Sequence, residues 1–188
     1  MPKRIVVGIS GASGVIYGVR LLEVLRDHPE VETHLVISDE GARTIKIETG
    51  RNPKEIAALA SRHYEVDNLA AAISSGSFRT DGMAIIPCSM KTLAGIATGF
   101  TDNLLLRAAD VILKERRTLV IVPRESPLHI IHLENLLKLA RMNAIILMPD
   151  PPFYIQPKTL DDIIDYVVGK TLDYFDIEHD LFHRWQGG

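Results

Sequence analysis

Apolar positions along this chain follow two rhythms. The runs "RIVVGIS" (4–10), "VETHLVIS" (31–38), "MAIIPCS" (83–89), "TLVIVPR" (118–124) and "AIILMP" (144–149) are short, β-branched and almost continuously apolar. Strands buried on both faces read this way. Between them, apolar residues recur at helical spacing: Val15, Val19, Leu22 and Leu25 share one face, and Ile130, Leu133, Leu137 and Ala140 another. A polar helical stretch after the second run stops near Gly50, and Asn52-Pro53 predicts the cap and first turn of a helix through "KEIAALASRH". "MKTLAGIATG" predicts a short helix, "TDNLLLRAADVILKE" (101–115) a longer one capped by Thr101 or Asp102, and Ser126-Pro127 the start of another. Thr159, with Asp162 at the capping-box position, opens the last helix. The stretch 64–82 reads as loop with one apolar turn, and "DPPFYIQP" as an irregular loop. Strands alternating with helices predict an α/β fold, an open and mostly parallel sheet with helices on both faces.

In such sheets ligands bind at the carboxyl ends of the strands, so the residues just past each run carry the functional information. They are Ser10-Gly11-Ala12-Ser13-Gly14, then Ser38-Asp39, then Ser89-Met90-Lys91-Thr92, then Arg124-Glu125-Ser126, then Pro149 through Tyr154. "GASG" entering a helix offers free amides and a helix dipole to an anion, or is a tight turn with a serine cap. "SMKT" joins hydroxyls, a cation and a helix start, or is an N-cap. Arg124-Glu125 is placed for a phosphate, or is a surface ion pair. Glu48, Arg107 and Lys114 fall on helix faces that solvation alone would explain, with Arg107 and Lys114 seven residues apart on one face. Tyr154 and Trp185, the only tryptophan, read as packing or as aromatics over the same edge.

Length and composition narrow the classes. The chain has 188 residues, 46% of them hydrophobic, which suits one domain over 1–188. A net charge of −3 gives no sign of a nucleic-acid groove or an anionic membrane surface. The single Cys88 excludes an intrachain disulfide framework and a multi-cysteine zinc site, and suits a reducing cytoplasm. It reads as a small buried residue before a nucleophile. The seven histidines show no metal-ligand spacing, and no run is long enough to span a bilayer or to serve as a signal peptide. The residues therefore point to a domain that binds a phosphorylated, ring-bearing ligand; the reaction does not follow from spacing.

The stretches "GISGASGVIYGVRLLEVL", "ISSGSFRTDGMAIIPCSMKTLAGIATG", "NLLLRAADVILKERRTLVIVPRESPLHIIHLENLLKLARMNAIIL" and "FYIQPKTLDDIIDYVV" resemble the flavin prenyltransferase family over nearly the whole chain. Its members were formerly described as aromatic-acid decarboxylases. The resemblance implies a single-domain Rossmann- or flavodoxin-like three-layer sandwich. It implies FMN held by Gly11, Ala12, Ser13, Ser38, Ser89, Met90, Lys91, Thr92 and Arg124, with dimethylallyl monophosphate beside it. Lys114, Arg124, Tyr154 and Lys170 would grip that phosphate, Trp185 would help wall the site, and Glu48, Glu125 and Ser13 would stand at the reacting centre. The implied reaction puts a dimethylallyl group on N5 and C6 of reduced FMN, with no metal. The prenylated FMN then serves a partner decarboxylase of aromatic or α,β-unsaturated acids. The resemblance also implies a homo-oligomer, a dodecamer with sites at subunit contacts. One departure is Lys170, where the family commonly has arginine; lysine keeps the charge and loses the bidentate fork.

Three other readings compete. An FMN-dependent cysteine decarboxylase of similar fold would bring a P-x-M-N-type clamp and a histidine after an early strand, and neither is present in "SDEGARTIKIETG" or beyond. A flavodoxin-like FMN carrier would not need the several cations around "VPRESP" and Lys114. Direct decarboxylation by this chain alone would release carbon dioxide without a partner.

Overall fold

The computed structural model describes residues 2–187 and contains one six-stranded sheet. The strands are β1 Lys3–Ile9, β2 Val31–Ile37, β3 Arg62–Tyr64, β4 Gly82–Cys88, β5 Thr118–Pro123 and β6 Ile145–Ile146. Their order is β3-β2-β1-β4-β5-β6, and every pairing is parallel. This is the order of doubly wound dinucleotide-binding sheets. β1 and β2 pair in register from Lys3↔Val31 to Ile9↔Ile37. All seven residues of β4 are buried, as its continuous apolar run requires of a central strand.

The helices are α1 Val15–Arg26, α2 Asp39–Thr49, α3 Pro53–Ala57, α4 Met90–Thr98, α5 Leu104–Lys114, α6 Ile130–Arg141 and α7 Leu160–Asp173. Two apolar layers result. One joins α1, α3 and α7 to one sheet face through Val15, Val19, Leu22, Ile56, Val168 and Leu172. The other joins α4, α5 and α6 to the opposite face through Leu93, Leu105, Ala109, Ile112 and Leu139. Burial of these side chains, at about 25 cal/mol per Å² of apolar surface, is the main favourable term of the fold.

Several boundaries differ from the sequence expectation. The helix after Asn52 ends at Ala57, and residues 62–64, expected as helix and loop, form the edge strand β3. Ser61 and Thr33 exchange bonds that draw this segment beside β2: the Ser61 N–H donates to Thr33 Oγ1 at 2.8 Å, and the Thr33 N–H to Ser61 Oγ at 3.1 Å. The α5 cap is Asn103, whose Oδ1 accepts from the Leu106 N–H at 3.0 Å, so neither Thr101 nor Asp102 is the cap. Ser126-Pro127 stays in a loop, and α6 begins three residues beyond it, after His129. The fifth expected strand shrinks to two residues. The loop 64–82 contains a 3-10 turn at Ala72–Ser74 that buries Ile73.

α1 lies hard against the end of β4. A Cβ on Gly18 would fall 2.3 Å from the Ile86 carbonyl oxygen and 2.9 Å from the Ile9 side chain. Neither can retreat, since both belong to the central strands. Gly18→Ala is therefore expected to cost about 1–3 kcal/mol, the usual range for overpacking. Urea unfolding checks this, and an unchanged midpoint would mean that α1 is free to lift from the sheet.

Candidate active site

The chain reverses its winding at β1: β2 lies on one side of it and β4 on the other. At this switch point the carboxyl ends of neighbouring strands part and leave a crevice. Three helix N-termini meet there. α1 starts at Gly14, in the left-handed region at φ 98°. α2 starts at Ser38, whose Oγ accepts from the Gly41 N–H at 3.0 Å. α4 starts at Ser89, whose Oγ accepts from the Thr92 N–H at 3.2 Å and donates to Thr92 Oγ1 at 3.1 Å.

Ser10 locks this edge. Its buried hydroxyl donates to the Pro87 carbonyl at 3.0 Å and accepts from the Ser89 N–H at 2.7 Å. The ends of β1 and β4 are thereby held at one separation. The α2 start closes in from the other side: a Cβ on Gly11 would fall 2.3 Å from Glu40 Cβ, and one on Gly41 would fall 2.6 Å from the Ile9 carbonyl oxygen. Gly11 is thus required by tertiary crowding.

A cavity of about 700 Å³ opens from this edge. Gly11, Ser38, Ser89, Lys91 and Thr92 line it, five of the nine residues implied for the flavin, with Val66, Phe100 and Leu106 as an apolar wall. The volume suits a nucleotide-sized ligand. Among the described residues, the backbone N–H groups of Gly11 and Ser13 donate to no protein acceptor. Lys91 and Arg124 are both exposed and form no ion pair among the described residues. Free amides at helix starts and unpaired cations are the donor set that a flavin phosphate requires, so the edge fits FMN.

Glu48 has a definite partner. Its Oε2 accepts from the Gly14 N–H at 2.9 Å and from the Val15 N–H at 3.1 Å. The cap of α1 is therefore a carboxylate brought from α2, in place of a serine in the turn. The two amides were expected to face a ligand, and Glu48 takes them instead. The carboxylate is fixed at the lip of the glycine turn, next to Ser13, which is exposed.

Arg124 follows β5 and donates its backbone N–H to the Cys88 carbonyl at 3.2 Å. Its side chain passes near Gly14, 3.9 Å from where a Cβ would stand. Burial pushes the Tyr17 hydroxyl pKa up, and the nearby Arg124 charge opposes that rise. Glu125 bonds to the N–H of Ser126 at 3.0 Å, so Arg124-Glu125 is not the surface ion pair considered from sequence. Met90 and Ala12 are half-buried and buried beside their neighbours in the same two turns. Cys88 is fully buried, and desolvation pushes its thiol pKa up, out of nucleophile range.

The residues implied for the prenyl phosphate are not all here. Lys114 ends α5, with three residues between it and the start of β5, and so stands at the amino edge of the sheet. It pairs with Glu115 and leans on the loop at Gly76. Tyr154, Trp185 and Lys170 gather on α7. The Tyr154 ring meets Trp185 edge-on at 5.9 Å and Tyr166 at 6.3 Å. The Tyr166 pKa is pushed up to about 12 by its hydrogen bond with Tyr154 and by burial. Lys170 Nζ lies 3.4 Å from Asp173 Oδ2. Among the described residues, no hydrogen bond, ion pair or ring contact joins this aromatic group or Lys114 to the crevice at β1 and β4.

Sequence reasoning overlooked Ser10 as the tie between strands, and Tyr166, Asp173, Phe182 and Arg184 around the aromatic group. Ser10 carried a signal, a serine closing an otherwise apolar buried run. Gly169 carried another, a glycine in mid-helix, where a Cβ would come within 2.6 Å of the His179 and Phe182 rings.

A family model described as Flavoprotein matches residues 1–176. The flavin prenyltransferase UbiX of Salmonella typhimurium is 56% identical over 98% of this chain and 99% of its own length. The mitochondrial flavin prenyltransferase PAD1 of Saccharomyces cerevisiae is 55% identical over 99% of this chain and 76% of its own. Among solved structures, the dodecameric FMN-dependent UbiX-like decarboxylase of Escherichia coli O157:H7 superposes with a TM-score of 0.96 at 54% identity, covering 98% of this chain and 100% of that one. AnUbiX (PadA1), in complex with FMN and dimethylallyl pyrophosphate, gives 0.97 at 49% identity with full coverage of both chains. The peptidyl-cysteine decarboxylase EpiD shares the fold at 18% identity and a TM-score of 0.61.

Ser10→Ala would leave the Ser89 N–H without its acceptor at the floor of the crevice. The expected loss is about 1–3 kcal/mol of stability, the cost of an unsatisfied buried donor, together with weaker FMN binding. Denaturant unfolding and flavin titration check the two effects, and loss of neither would remove Ser10 as the tie.

Proposed function

The chain belongs to the flavin prenyltransferase family, and from that premise we propose that its crevice at β1 and β4 binds reduced FMN, which receives a dimethylallyl group at N5 and C6. The observation that supports this reading is a cavity lined by Gly11, Ser38, Ser89, Lys91 and Thr92, with the Gly11 and Ser13 amides unbonded and Lys91 and Arg124 in no ion pair among the described residues. Gly11, Ala12, Ser13, Ser38, Ser89, Met90, Lys91, Thr92 and Arg124 hold the flavin. When bound, reduced FMN supplies the nucleophilic N5 and the neighbouring ring carbon C6.

The protein's own part is electrostatic and positional. Breaking the allylic C–O bond leaves a phosphate carrying the electron pair, and cations placed beforehand lower that barrier most. Arg124, Lys114 and Lys170 fill this role. Tyr154 and Trp185 form an aromatic wall that keeps water from a carbon bearing developing positive charge. Glu48 is oriented by the Gly14 and Val15 amides, so a proton on or off its carboxyl moves at a fixed place. Ring closure removes the proton at C6, and Glu48 is the group assigned to it. Glu125, beside Arg124, and Ser13, exposed at the turn, complete the reacting edge.

Lys114 and the α7 group stand apart from the crevice within one chain, and this supports a site completed by further copies. The exposed apolar side chains of α6 and its surroundings, Ile130, Ile131, Leu133, Leu137 and Met142, fit burial between copies. The dodecamer of the Escherichia coli relative is the assembly assigned here. The product, prenylated FMN, then serves a partner decarboxylase. No helix is long and apolar enough to cross a membrane, and the assigned location is the cytoplasm.

Anaerobic incubation of the purified protein with reduced FMN and dimethylallyl monophosphate tests this reading. The released flavin should gain one five-carbon unit as phosphate appears. A parallel arm with the diphosphate identifies the donor, since the AnUbiX complex holds the diphosphate. Unchanged flavin in both arms, or carbon dioxide released from an aromatic acid by this chain alone, would contradict it. Glu48→Gln should keep FMN bound and slow product formation by about 10²–10⁴-fold, the range of a lost acid–base group. Unchanged turnover would remove Glu48 from the mechanism.

A further inference from the structure

The end of α7 and the segment 178–187 form a charge cluster to which the reaction scheme assigns only Lys170. Asp173 is its hub. Arg184 grips it with two nitrogens, Nη2 to Oδ1 at 2.6 Å and Nη1 to Oδ2 at 3.1 Å. His179 Nε2 lies 3.1 Å from Oδ1, and the Leu181 N–H donates to His179 Nδ1 at 3.3 Å. The second bond leaves the ring proton on Nε2, so the imidazole donates to Asp173. Lys170, at 3.4 Å, makes the longest of these contacts. Burial pushes the Asp173 pKa up, but the hydrogen bonds from Arg184 and His179 outweigh it and hold the carboxyl down at about 2.

The segment is seated closely. His179 and Phe182 fill the space that any side chain at Gly169 would need. Phe182 packs on Tyr166 at 4.9 Å and on His179 at 5.3 Å, and the Arg184 guanidinium lies 5.2 Å over the Phe182 ring. The next residue is Trp185, which meets Tyr154. The bidentate pair thus sits immediately before the aromatic that covers Tyr154. Bidentate pairs fix geometry as well as supplying energy. The cluster also has one positive charge to spare: Lys170 and Arg184 face the single carboxylate of Asp173, and Lys170 is the cation it binds least.

We propose that Asp173 is a positioning residue for the prenyl-phosphate end of the site. By fastening residues 178–187 to α7 through Arg184 and His179, it sets Trp185 against Tyr154 and leaves Lys170 available to a phosphate. This rests on the assignment of Tyr154, Lys170 and Trp185 to the substrate, given above.

Trp185 is the only tryptophan, so its fluorescence anisotropy in the flavin-bound protein reports the segment alone. Asp173→Asn should lower that anisotropy and raise KM for dimethylallyl monophosphate by about tenfold or more, as misplaced binding groups do, with FMN affinity within about twofold. Arg184→Gln, an exposed change outside the core, should reproduce the pattern, and Asp173→Glu should restore part of it. Unchanged anisotropy would overturn the proposal. So would a fall in anisotropy with KM unmoved while Lys170→Met still raises KM. An unmoved KM in both Asp173→Asn and Lys170→Met would overturn the substrate assignment itself.

Discussion

The hydroxyl of Ser10 spans the gap on which the site depends. It binds the Pro87 carbonyl and the Ser89 amide at once, and so fixes the ends of β1 and β4 relative to each other. The hydroxyl extends the pairing of β1 with β4, whose last backbone bond runs from the Ser10 N–H to the Pro87 carbonyl at 3.2 Å, into the turn that starts α4. With the gap fixed, the starts of α1, α2 and α4 present to one space, and their dipoles favour an anion there. Gly11, Gly18 and Gly41 permit the close approach that brings α1 and α2 onto the strand ends. The unbonded amides and cations of the crevice follow from this frame.

Glu48 shows how the frame and the chemistry share groups. A carboxylate on α2 caps α1, an interaction that favours the charge at a helix N-terminus and ties the two helices together. The same bonds aim the carboxylate at the glycine turn. The cations have the opposite distribution. Arg124 follows β5 at the carboxyl edge, Lys114 stands at the far edge of the sheet, and Lys170 lies on α7 beside Asp173. One chain thus gathers five of the nine residues proposed for the flavin around one cavity and scatters those proposed for the phosphate. Symmetric assembly is the economical way to bring such pieces together, because each copy both gives and receives them.

Much of this was legible in the sequence, for local reasons. Buried strands announce themselves as apolar runs, and the caps Ser38, Ser89 and Thr159 sit one position before helical patterns. The switch-point rule then named the strand ends, and five of the residues found there line one cavity. The rest depended on distance in space. β3 is three residues long, with two exposed, and its pairing is directed by Thr33 and Ser61, 28 positions apart. The capping of α1 by Glu48 spans more than 30 positions and leaves no periodic trace. The hub at Asp173 is legible only once the chain after α7 is seen to fold back. The seven-residue spacing of Arg107 and Lys114 gave their shared face and could not give the edge of the sheet on which that face ends.

In the proposed site, a flavin bound at the crevice of one copy meets a prenyl phosphate gripped by Arg124 of that copy and by Lys114 of another. Mixed oligomers test it most directly. Glu48→Gln and Lys114→Ala proteins are purified separately, dissociated, mixed and reassembled, and prenylated flavin is assayed against each protein reassembled alone. Recovery well above the sum of the two is the predicted result, because some sites would then combine an intact Glu48 with an intact Lys114 from a neighbour. No recovery, from mixtures shown to share subunits, would contradict it and return the whole site to a single chain.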